Sequence, residues 1–132
     1  MSPRRILAVL EWRASDAAVL ERAVEIASES GGYLTLVMIA PTPLRTPAGP
    51  YCIPRMSTEE LRVEAGAALA RAAALVPPDI PLLTVLDQGR TADVIARRVA
   101  VAAHDLVVVR RRRVPFRAPA SAGSAPVLVV AG

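Results

Sequence analysis

Arg5-Ile6-Leu7-Ala8-Val9-Leu10-Glu11 is the stretch from which the rest of the chain can be read. Its apolar residues run on without alternation, the pattern of a strand buried on both faces. Such a strand sits inside a parallel sheet with helices above and below it. Reading outward, Ser15 is placed to cap a helix in which Leu20, Ala23, Val24 and Ala27 recur at helical spacing. Gly31-Gly32 ends that helix, because glycine adopts left-handed backbone geometry at little cost. Tyr33 to Ala40 is a second short apolar run and reads as the second strand.

Pro41 to Met56 holds five prolines (Pro41, Pro43, Pro47, Pro50 and Pro54), which exclude a helix or a central strand, so 41–56 reads as a Pro-rich loop. Ser57-Thr58-Glu59-Glu60 then has the form of a capping box and opens an alanine-rich helix that must end before Pro77-Pro78. Leu82 to Leu86 is a third strand and Gly89 a turn. Thr91 is placed to cap a third helix running to about Ala103, with Ala92, Ile95, Ala96 and Val99 as its buried stripe. Leu106 to Val109 and Val127 to Val130 are the last two strands, joined by an irregular Arg-rich loop at 110–125.

This order predicts an α/β fold, a single domain over 1–132 with an open parallel sheet and helices on both faces. Ligands of such sheets bind beyond the carboxyl ends of the strands, where strand order reverses. Here that edge is Glu11-Trp12, Ile39-Ala40 and Val109-Arg110.

The chain is 53% hydrophobic and 21% charged, enough to bury a core and against disorder. No apolar run approaches the roughly 20 residues of a membrane span. Met1-Ser2-Pro3-Arg4-Arg5 leads into too short an apolar run for a signal peptide. The single cysteine, Cys52, excludes an internal disulfide framework, and a cytoplasmic location is expected. All 16 basic residues are arginine, and five of them (Arg110, Arg111, Arg112, Arg113 and Arg117) share the last loop. Without those five, eleven basic residues face twelve acidic ones. The net charge of +4 is therefore a local patch.

Taken together, Arg5 to Glu11, Leu34-Thr35-Leu36-Val37-Met38-Ile39, Gly89-x-x-Ala92-Asp93-x-Ile95, His104-Asp105-Leu106-Val107-Val108-Val109 and Ala125-Pro126-Val127-Leu128-Val129-Val130 resemble the universal stress proteins. The resemblance spans Arg5 to Ala131. It implies five strands in the order 3-2-1-4-5 and a homodimer paired through the last strands. It also implies a role in stress response.

Family members that bind ATP carry an acidic residue after strand one, backbone contacts after strand two, and a G-x-x-G-x9-G-[ST] loop after strand four. By that resemblance Glu11 takes the acidic position, one methylene longer than the usual aspartate. Ile39 falls where adenine would be met, and Val109 just before the loop. Arg110 and Arg113 stand in the two glycine positions, and Gly123-Ser124 lie at the spacing of the closing pair.

Pro126-Val127 follow that pair almost at once, and Pro115 and Pro119 interrupt the stretch before it. The last helix is therefore expected to be shortened or missing, and with it the N-terminal dipole that favours phosphate. Trp12 either occupies adenine's place or covers the sheet end.

Three readings of the arginine run stay open: a solvated edge, an anion site of guanidinium forks, and a nucleic-acid patch. No groove-reading motif supports the last, so nucleic acid is not expected as a partner. His104 reads as a surface or capping residue, Cys52 as a loop thiol, and Asp87 and Asp93 as turn and first-turn acids. No catalytic or metal-binding constellation is apparent.

The expectation is thus a non-enzymatic binding or regulatory protein with no resident cofactor, which does not hold ATP in the usual way. Its alternative is a binder of nucleotides or small anions, ATP or AMP among them, that uses Arg110 and Arg113 in place of glycines, with slow ATP hydrolysis still open.

Overall fold

The computed structural model describes residues 4–11, 17–40, 57–110 and 127–130. Its elements are β1 (Arg5–Glu11), α1 (Ala17–Ser30), β2 (Tyr33–Ala40), α2 (Thr58–Ala74), β3 (Leu82–Gln88), α3 (Thr91–Val101), β4 (Leu106–Arg110) and β5 (Val127–Val130). The strands form one sheet in the order β3-β2-β1-β4-β5, every pair parallel. The chain walks outward from β1 to β3, then crosses back to β4. With right-handed crossovers, that reversal puts α3 on the face opposite α1 and α2.

Two cores, one per face, explain why the middles of β1 and β2 are apolar without alternation. On one face Ile6, Ala8 and Leu10 of β1 and Leu34, Leu36 and Met38 of β2 pack against Leu20, Ala23 and Ala27 of α1 and Ala65 and Leu69 of α2. On the other, Leu7, Val9, Val37, Ile39, Val107 and Val109 meet Val94 and Ile95 of α3. Successive side chains of a strand point to opposite faces, so a strand with helices on both sides has no polar row.

Helix ends follow the local chemistry. At α2, the Glu60 amide donates to Ser57 Oγ at 3.1 Å and the Ser57 amide donates to Glu60 Oε1 at 3.3 Å, completing the capping box. After α1, Gly31 has a φ of 66°, where a Cβ would be strained, and the Gly32 amide donates to the Ala27 carbonyl.

Two expectations about α3 are corrected. The helix ends at Val101, not near Ala103. Its fully buried residues are Val94 and Ile95, while Ala92, Ala96 and Val99 are half-buried. A helix lying on only part of a sheet face buries a narrow seam, and Val94 falls on it. The Ser15 cap, the loop 41–56 and the shortened or missing last helix lie outside the described residues.

At the amino edge of the sheet, Asp105 ties β4 to β1. Its Oδ2 accepts the Arg4 and Arg5 amides at 2.9 and 3.0 Å, and its own amide donates to the Arg5 carbonyl at 2.8 Å. These bonds hold its carboxyl below the usual carboxylate range.

Candidate functional site

At the carboxyl edge the register sets Glu11 of β1 beside Ile39 of β2, and Ile39 beside Asp87 of β3. The crossover helix α3 begins just beyond β3, so its N-terminus comes to the same edge. Thr91, the first residue of α3, donates its hydroxyl to Glu11 Oε1 at 2.5 Å across 80 residues of sequence. Arg110 Nη2 lies 3.7 Å from Glu11 Oε2, from the end of β4 on the other side of β1. Glu11 is thus held between a hydroxyl on one side and a guanidinium on the other. The helix N-terminus beside it favours its negative charge.

Thr91 was expected to cap α3. The N-cap is instead Arg90, which makes no side-chain capping bond, and the Thr91 hydroxyl is spent on Glu11. One residue in the position of the helix start accounts for the change. Asp87 is likewise more than a turn acid: it lies within β3, 3.1 Å from Arg97 Nη2 and 3.8 Å from Arg98 Nε. Arg97 Nη2 also donates to the Gln88 carbonyl at 3.0 Å. One arginine therefore ties the helix to the strand end that precedes it. Asp93 does lie in the first turn of α3.

Of the residues singled out from the sequence, Glu11 and Arg110 come together, and Ile39 and Val109 line the strand ends on either side of β1. The side chains of Ile39 and Val109 are buried in the second core, so what they offer at the edge is backbone. Trp12, Arg113, Gly123 and Ser124 lie outside the described residues. Thr91 and Asp87 are the edge residues whose roles the sequence did not disclose. A hydroxyl at a helix start looks like a cap, and partners 80 residues apart leave no spacing to find.

His104 lies at the opposite edge of the sheet. A carbonyl only accepts, so its Nδ1 donates to the Ala102 carbonyl, at 2.8 Å, at the end of α3. That leaves Nε2 of the neutral ring facing Thr35 Oγ1 at 3.5 Å. Burial lowers its pKa below the usual imidazole range, outweighing the opposing effect of the Ala102 bond. Among the described residues, no group of three or more His, Cys, Asp or Glu gathers to hold a metal. No helix among them is long and apolar enough to cross a membrane.

A five-stranded parallel sheet in the order 3-2-1-4-5, with an acidic residue closing strand one, is the arrangement expected from the resemblance. Residues 3–130 match the model of the universal stress protein family. The chain belongs to that family. No curated protein matches it.

Solved universal stress proteins share its fold. One from Burkholderia pseudomallei is 22% identical, with a TM-score of 0.75, over 96% of this chain and 95% of its own. One from Archaeoglobus fulgidus, in complex with dAMP, is 18% identical with a TM-score of 0.67, over 98% and 99% of the two chains. An Arabidopsis thaliana family protein with AMP bound is 15% identical with a TM-score of 0.57, over 98% and 92%.

Proposed function

We infer that this chain is a non-catalytic binding protein of the stress response, cytoplasmic and homodimeric, that does not take ATP through a glycine loop. The observation that carries this reading is the 3.7 Å approach of Arg110 Nη2 to Glu11 Oε2. By the family resemblance Arg110 stands in the first glycine position and Glu11 in the acidic one. A glycine loop works because no side chain keeps phosphate from the backbone N–H groups. Here the position carries a guanidinium, and that group is directed to the carboxylate at the adenosine end. Equilibrium dialysis against ATP is expected to give no binding in the micromolar range. A micromolar dissociation constant would overturn the reading.

A second reading has support of its own. The Archaeoglobus and Arabidopsis proteins carry dAMP and AMP, and Arg110 brings a cation to the edge where this fold collects ligands. On this reading Arg110 and Arg113 hold a nucleotide or small anion by guanidinium forks, with slow ATP hydrolysis as its catalytic limit. It predicts a rise in Tm with AMP, ADP, ATP, sulfate or polyphosphate that the double change Arg110→Ala plus Arg113→Ala abolishes. No rise with any of them counts against it. The dimer is supported by the place of β5, outermost in the sheet with β4 as its one strand neighbour among the described residues.

A further inference from the structure

At the amino edge of the sheet, far from Glu11 and Arg110, a cleft of about 280 Å³ opens between the end of α3 and the edge strand β3. Its lining includes Arg5, Tyr33, Thr35, Pro81, Leu83 and His104. Arg5, Tyr33, Thr35 and Leu83 alternate with residues of the first core, so their side chains share the α3 face of the sheet. That face loses its helical cover where α3 stops at Val101, and Leu83 is left 61% exposed.

The surface is mostly apolar, yet four side chains that can hydrogen-bond contribute to its lining: Arg5, Tyr33, Thr35 and His104. Among the described residues no carboxylate lines the cleft, in contrast to the opposite edge, where Glu11 and Asp87 lie. Asp105 lies close enough to act electrostatically on Arg5 and His104, but its Oδ2 is engaged by the Arg4 and Arg5 amides.

We propose that this cleft is a binding site for a small one-ring organic carboxylate. The ring lies against Tyr33, Pro81 and Leu83, and the carboxylate meets Arg5 and the Thr35 hydroxyl. The cation sets the charge, since a guanidinium fork matches the two oxygens of a carboxylate. The Thr35 hydroxyl is available because its 3.5 Å separation from His104 Nε2 is at the limit of a hydrogen bond, so turning to a ligand gives up little. The volume sets the size. Small-molecule pockets run from about 300 to 1,000 Å³, and this one falls just below that range, which suits a single ring and not a nucleotide.

The test is titration of the full chain with benzoate, followed by amide chemical shifts, with benzamide as the neutral control. Benzoate is expected to shift Tyr33, Thr35, Leu83 and His104 at millimolar concentration and leave Glu11, Ile39 and Arg110 unmoved. Benzamide is expected to bind more weakly. Arg5→Gln is expected to weaken benzoate about tenfold. Its side chain is exposed and its hydrogen bonds with Asp105 use only its backbone amide and carbonyl, so the fold is kept. Leu83→Glu, which sets a like charge on the exposed wall, is expected to abolish binding. Equal affinity for benzamide, an unchanged affinity in Arg5→Gln, or shifts confined to the Glu11 edge would each overturn the proposal, as would no shift at all.

Discussion

Thr91 Oγ1 and Arg110 Nη2 approach the two oxygens of Glu11 from opposite sides of β1 at 2.5 and 3.7 Å, and the two contacts differ in weight. The hydroxyl bond is short and part-buried, so Thr91→Val is expected to cost about 1 kcal/mol, read by urea denaturation. The ion pair is longer and partly solvated, with both side chains more than a fifth exposed. Arg110→Gln is therefore expected to change stability by only about 0.5 kcal/mol. Two titrating groups give tests of pH in separate windows, both losing stability as pH falls. The folded pKa of His104 is lowered, so the unfolded chain binds the extra proton first. Stability is full above about pH 6.5 and falls as pH drops from there toward the lowered value. His104→Gln should flatten that limb of a stability–pH curve. The Asp105 carboxyl is also lowered, by the Arg4 and Arg5 amides. Its contribution is present above about pH 3.9 and is lost as pH falls through the folded value, and Asp105→Asn should remove that lower limb.

Among the elements, α2 is the helix whose start was fully legible, because a capping box needs only residues three apart. Ser57→Ala is expected to lower stability by about 1 kcal/mol in thermal or chemical denaturation. The turn after α1 gives a second local test. Gly31 sits at a φ of 66° and a Cβ there meets nothing within 4 Å, so Gly31→Ala carries a backbone cost alone. About 1 kcal/mol is expected, with no change in the core. The α3 helix was legible in outline but not in its start or its seam. Thr91 reads as a cap in any sequence, and only the nearness of Glu11 turns its hydroxyl outward. Val94 is not in the stripe Ala92, Ile95, Ala96 and Val99 read from periodicity, because periodicity does not say how α3 crosses the sheet.

For the whole molecule, the edge strands carry the consequence. The inner strands β2, β1 and β4 are paired on both sides, whereas β5 has β4 as its one strand neighbour among the described residues. The proposed dimer uses that open side, and light scattering is expected to give twice the chain mass. Val129, 41% exposed on the α3 face of β5, is the position to test it. Val129→Asp should shift the mass toward the monomer by setting like charges across the joined edge. An unchanged dimer would place the interface elsewhere.

The sheet was written in the chain itself. Apolar runs at Ile6–Leu10 and at Tyr33–Ala40, the second broken only by Thr35, are separated by a helical stretch and admit little except a parallel sheet covered on both faces, because burial is decided by which residues recur and at what period. The strand order came from resemblance, since periodicity says that strands are buried but not which lie side by side. Tertiary structure alone decided the contents of both edges. Glu11, Thr91 and Arg110 are distant in sequence and meet because the crossover at the β1/β4 switch point brings the start of α3 and the end of β4 to either side of β1. Arg5, Thr35 and His104 converge at the other edge because α3 ends short of the amino ends of β2 and β3. A sequence fixes what each residue can do locally, but a site made from the ends of separate strands exists only once their register is set.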